Sequence, residues 1–277
     1  MKKLTAVSVF LVSGLMTGTT QETAQKIMGK NYIGIADVQN SLGVKYTPEQ
    51  RKVLATIPYS EATLRETATT HILVAGYPLT FSELMFSLLQ HGVRVTDYQN
   101  VTFASRKEGQ IAFKLVSENR IGLKLFQELF GSWRESTGEG GVHYAPLPDS
   151  NVRVALRWYL LQKEIFFPAI PKTGDEIGDD GKKELKLFTP TPGAKYEGIP
   201  SRELLYVMTL NRIARGEELF SQTTASTSTD CRIRNYGGKQ DLTFKKGELV
   251  ISDTVMYYMT GFKDRPRLGR AALRKYD

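Results

Sequence analysis

The chain has a single cysteine, Cys231, in 277 residues. That excludes an internal disulfide and any zinc or iron–sulfur site built on several thiolates, and it permits a reducing compartment. Histidine is almost as scarce. His71, His91 and His143 lie too far apart in sequence to show ligand spacing, so structural or surface roles are expected for them and no metal site is. No apolar run reaches the roughly 18–20 residues that cross a bilayer, so no membrane span is expected. The short catalytic signatures are missing as well: no G-x-S-x-G elbow, no H-E-x-x-H, no C-x-x-C, and no spacing that pairs Cys231 with a histidine. Neither G-x-x-x-x-G-K-[ST] nor G-x-G-x-x-G follows a strand, which leaves nothing beyond a bare helix end to cradle a phosphate. No cofactor and no catalytic residue follows from the sequence, and the expectation is a non-enzymatic protein.

What is present is the composition of an ordinary globular protein. Apolar residues make up 41% and charged residues 24%, with 13 Phe, 13 Tyr and 2 Trp to supply aromatic area. The length suits two domains better than one. Lys2 and Lys3 precede an apolar stretch, but Ser8, Ser13 and Gly14 interrupt it and no A-x-A site follows. Two short helices are expected over the first residues, with a secretory signal as the alternative. The corresponding localisation is cytoplasmic, or secreted if residues 1–20 act as that signal.

Positive charge is concentrated at one end. From Cys231 onward 11 Lys and Arg face 5 Asp and Glu, which supplies most of the formal net charge of +8. Tyr257, Tyr258 and Phe262 lie beside Lys263, Arg265 and Arg267, the mixture of stacking and cationic groups that suits an anionic strand. Nucleic acid is therefore one candidate partner, and a solvated basic face is the plainer alternative. The carboxylates Asp175, Glu176, Asp179 and Asp180 lack the offsets of an EF-hand loop, so a solvated loop is expected there.

Local signals place the elements. Thr19 with Glu22, Thr47 with Pro48, Ser60, and Thr80 with Glu83 each open a helix, and Gly29, Pro58 and Gly92 stop three of them. Ile72–Ala75 reads as a buried strand closed by Gly76 and Pro78. Val93–Val95, Val101–Phe103 and Ile111–Val116 read as strands, and Leu123–Phe130 as a helix with Leu125, Phe126 and Leu129 on one side. Glycines between 131 and 141 suggest a linker. Alternation from Val152 to Leu160 predicts a strand with one mixed face. Ser201 caps a helix with an apolar stripe from Leu204 to Ala214, ended by Gly216. Ser221 to Asp230 reads as a loop, followed by short strands near Arg232–Asn235, Leu242–Phe244 and Leu249–Ile251. The fold class is α+β: a helical module over 1–70, an α+β region with linker over 71–150, and a final domain over 151–277.

The strings Ile72-Leu73-Val74-Ala75-Gly76-Tyr77-Pro78-Leu79, Leu156–Glu164 and Leu268–Lys275 resemble a group of uncharacterised proteins from candidate-phylum bacteria of small genome. Within that group the last third is similar to the C-type-lectin-type domain of formylglycine-generating-enzyme-like proteins and of diversity-generating retroelement targets. Trp158–Glu164 resembles the opening strand of that fold, Ser201–Arg215 its main helix, and Leu268-Gly269-Arg270 its closing strand. The resemblance implies a ligand face just before the closing strand, where Ser252, Asp253, Thr254, Tyr257, Tyr258, Thr260, Lys263 and Arg265 stand. The oxidase branch needs a cysteine pair, so the resemblance implies binding of a protein or other macromolecular ligand rather than that reaction.

Overall fold

The computed structural model describes residues 18–97, 106–130, 132–136, 142–146, 153–164, 194–220, 224–226, 240–245, 247–253 and 268–277. The expected helices before residue 18 and the expected strands at Val101–Phe103 and Arg232–Asn235 lie outside them. The fold is α+β.

Capping chemistry sets the first helices. After β1 (Thr19–Thr20), α1 (Gln21–Met28) is capped by the Thr20 side chain, which accepts from the Thr23 amide, one residue later than the expected Thr19–Glu22 pairing. Thr19 instead donates its hydroxyl to Tyr59 O at 2.6 Å, and Glu22 pairs with Lys26 at 2.9 Å. Then come β2 (Tyr32–Ile33), α2 (Ile35–Leu42) and α3 (Pro48–Val53), where Thr47 and Gln50 form the reciprocal cap that satisfies two of the helix's free amides. β3 (Thr56–Ile57) pairs with β1, and Ser60 caps α4 (Glu61–Thr67).

One five-stranded sheet is built around β4 (His71–Ala75), every residue of which is buried. β4 runs parallel to β2 and antiparallel to β8 (Trp158–Gln162), and β14 (Ala272–Arg274) then joins β8 to β9 (Tyr196–Gly198). β8 starts at Trp158 rather than Val152, and both of its faces are buried, so the mixed face expected from alternation is absent along it. The cause is cover on both sides: Trp158 Nε1 donates to Leu54 O beneath, while the Tyr159 ring meets Tyr206 above. Tyr206 belongs to α8 (Ser201–Arg215), whose N-cap is Pro200 rather than Ser201, and which ends at Gly216 in the left-handed conformation. Leu204 through Leu210, including Tyr206 and Thr209, are fully buried, so the middle of α8 is enclosed all round instead of along one stripe, while its last turn is half-exposed.

The second five-stranded sheet has the order β13 (Leu268–Arg270), β10 (Thr224–Ser226), β11 (Gln240–Lys245), β12 (Glu248–Asp253), β5 (Arg94–Asp97). β10 falls inside the stretch expected to be a loop. α5 (Phe81–Gln90) carries the expected Thr80–Glu83 capping box. The run at Ile111–Val116, expected as a strand, lies in α6 (Arg106–Ser117). Gly109, Ala112 and Val116 are its buried positions, a helical spacing. α7 (Leu123–Phe130) buries Phe126 but leaves Leu125 and Leu129 exposed. β6 (Ser132–Ser136) and β7 (Val142–Pro146) form an antiparallel ribbon, and the glycines of the expected linker lie outside the described residues.

The main hydrophobic core runs from Ala24 to Leu273 through both sheets and α8. Both five-stranded sheets draw strands from either side of residue 150, so the borders set at 70 and 150 are not borders between sheets.

Candidate functional site

β12 ends at Asp253. Its pairing with β11 puts Ser252 opposite Asp241 and Asp253 opposite Gln240, and the Ser252 row continues to Ser226 on β10 and Arg270 on β13. The neighbouring row holds Ile251 and Leu242, both fully buried. β12, β10 and β13 run in one direction. β12 and β13 stand three places apart in the sheet, about 14 Å at ordinary strand spacing. Of the residues expected to form the ligand face, Ser252 and Asp253 stand at the end of β12, whereas Thr254, Tyr257, Tyr258, Thr260, Lys263 and Arg265 lie outside the described residues.

A second polar cluster sits where the N-terminal helices meet the end of the first sheet. Arg157, just before β8, donates through Nη2 to Glu203 at 2.9 Å and through Nη1 to Glu197 at 3.3 Å, and its guanidinium stacks 4.9 Å from the Tyr159 ring centre. Burial works against the Arg157 charge, but the facing Glu203 carboxylate outweighs it and lifts the pKa above the ordinary arginine value. Tyr59 donates to Arg274 O at 3.0 Å and Tyr276 to Trp158 O at 3.2 Å, and the two rings meet edge to face at 5.4 Å. Burial pushes the pKa of both phenols upward. Tyr59, Arg157, Glu197, Arg274, Lys275 and Tyr276 line a cleft of about 330 Å³. Both phenols stay neutral and the Arg157 guanidinium stays charged at neutral pH.

His71 on β4 is 2% exposed, with Nδ1 2.8 Å from Thr70 Oγ1 and Nε2 3.1 Å from the Tyr196 hydroxyl. Burial, then the nearby Arg274 and Lys163 charges, lower its pKa to about 4. His91 Nδ1 lies 2.8 Å from Ser87 O. Among the described residues no group of three or more His, Cys, Asp or Glu side chains converges as a metal site would, and no helix is long and apolar enough to cross a membrane.

Sequence reasoning did not find the Arg157 cluster. Its members come from separate segments around 59, 157, 197, 203 and 274–276, and no local spacing connects them. The available signal was an arginine in the apolar run from Val154 to Leu161, a charge that needs a partner if the run is buried.

Together the fold and these two sites define an α+β protein with a polar strand row at one sheet and a cationic, aromatic cleft at the other. No protein-family model, curated protein or solved structure matches the chain.

Proposed function

We propose that this chain is a non-enzymatic recognition protein whose binding surface comprises Ser252, Asp253, Thr254, Tyr257, Tyr258, Thr260, Lys263 and Arg265. In this reading residues 151–277 have a C-type-lectin-type organisation, and 254–267 occupies the place of the diversified face of a retroelement target. The observation that carries it is the strand register, which sets Ser252 opposite Asp241, Asp241 opposite Ser226 and Ser226 opposite Arg270 near the end of β12. Tyrosine and hydroxyl side chains suit such a surface, since aromatics give contact area at small entropic loss while hydroxyls adapt their hydrogen bonds.

Selection of a displayed random-peptide library on the immobilised full chain tests this. Enriched peptides should lose at least about tenfold in capture when Ser252, Asp253 and Thr254 are replaced together by alanine, the loss expected for one contact anchor. Equal capture by that variant contradicts the surface. The concentration of positive charge after Cys231 favours one other reading, a nucleic-acid-binding protein. In that case a short single-stranded oligonucleotide binds, and its affinity falls steeply and linearly on a logarithmic salt scale.

A further inference from the structure

Another cleft, of about 490 Å³, opens beside the amino end of α5, apart from both sites described above. One stripe of α5 lines it: Glu83, Phe86, Ser87 and Gln90 recur at the three- and four-residue spacing that shares a helix face. Phe86 and Ser87 keep 8% exposure each, whereas their neighbours Leu84, Leu88 and Leu89 have none. Facing this stripe is apolar wall. Gly43, in the left-handed conformation, turns the chain off α2, and Leu42 and Val44 on either side of it line the cleft. Tyr77, from the connection after β4, lines it too, its ring held edge to face against buried Tyr46 at 4.9 Å. A cleft of this size, mostly apolar with a few placed polar groups, has the character of a small-molecule site.

Arg153 and Glu83 are the charged groups of the lining among the described residues. Val154 donates its amide to Leu79 O at 2.8 Å, which fixes Arg153 beside the amino end of α5. Arg153 Nη1 donates to Pro78 O at 2.9 Å and to Glu83 Oε2 at 3.2 Å. Those two bonds use both hydrogens of Nη1, and the Nε–Nη2 edge has no acceptor among the described residues, on a side chain 52% exposed. That edge offers two parallel N–H groups, the arrangement that matches the paired oxygens of a carboxylate. The same Glu83 oxygen also accepts from the Thr80 amide at 2.6 Å and the Thr80 hydroxyl at 3.0 Å. Shared in this way with the amino end of α5, it offsets the guanidinium charge only in part. We propose that this cleft binds a small aliphatic carboxylate, its chain along Leu42, Val44, Tyr77 and Phe86 and its carboxylate on the free edge of Arg153. The proposal does not rest on the surface after β12.

The test uses the full chain with octanoate, octanol and octylamine, which share one chain and differ at the head. Calorimetry should show octanoate binding, octanol at least about tenfold weaker because it lacks the charge-assisted pair, and octylamine weaker than octanol. Arg153→Met should bring octanoate down to the affinity of octanol or below while leaving octanol unchanged. Val44→Asp, which sets a carboxylate against the chain, should weaken octanoate as well. Lys26→Met, on exposed α1, should change nothing. Circular dichroism establishes that each variant is folded, and if one is not, the other decides together with the order of the three head groups. No octanoate binding, equal affinity for octanol or octylamine, or octanoate binding indifferent to the folded variants overturns the proposal.

Discussion

Arg157 and Glu203, 46 residues apart, are joined at 2.9 Å, and this contact ties the turn before β8 to the first turn of α8. The Glu203 side chain is 9% exposed and that of Arg157 32%, so removing one partner strands the other in a largely dry place. Glu203→Ala should destabilise the fold by about 2–3 kcal/mol, somewhat less than a fully buried broken pair because Arg157 keeps Glu197 and some water. Glu203→Gln retains an acceptor and should lose roughly 1 kcal/mol. Urea unfolding of both variants checks the order. Equal losses would mean that the charge contributes nothing.

His71 makes stability depend on pH. Its folded pKa, about 4, lies below the ordinary 6.5, so the folded state favours the neutral ring. As pH falls below 6.5 the unfolded chain takes up a proton that the folded chain refuses, and stability drops until the folded ring also protonates near 4. The full loss is about 3 kcal/mol, because every tenfold difference in proton affinity between the folded and unfolded chain contributes about 1.4 kcal/mol. Unfolding midpoints measured between about pH 7.5 and 4 should fall over this window in the native chain and much less in His71→Asn. Parallel profiles would contradict the assignment.

Gly76 stands where β4 leaves the sheet and the chain before β8 passes over it. Its amide donates to Arg157 O at 2.8 Å, and a side-chain carbon placed there would touch Ala155 O and come within 2.7 Å of Arg157 O. Both obstacles are backbone and cannot swing aside. Gly76→Ala should destabilise by about 2 kcal/mol or more, as overpacking does, measured by the shift in urea midpoint. A neutral result would show that the two segments separate easily.

Contacts between residues near in sequence could be read from it, and contacts that depend on tertiary packing could not. The caps at Thr47 and Thr80 were legible because a cap is local, set by residues three apart. The buried strand Ile72–Ala75 was legible because its continuous apolar run is bounded by Gly76 and Pro78. The helix over Ile111–Val116 was misread because its β-branched and aromatic residues resemble a strand until burial shows the spacing of Gly109, Ala112 and Val116. The Arg157–Glu203 contact was beyond reach, since it depends on β8 lying beneath α8, a tertiary arrangement that neither segment specifies alone. Of the expected ligand face, the β12 strand ending in Ser252 and Asp253 was legible from the Leu249–Ile251 run. The polar row completed by Asp241, Ser226 and Arg270 required the register.

The central claim separates a scaffold from a surface, and one replacement tests that separation. Residues 254–267 are exchanged for a sequence of equal length and composition in scrambled order, and both the melting temperature and the capture of a peptide selected on the native chain are measured. The account predicts an unchanged melting temperature, because the Leu161–Leu273 pairing and the core through α8 remain, together with loss of capture. Capture that survives the exchange, or a chain that no longer folds, contradicts it.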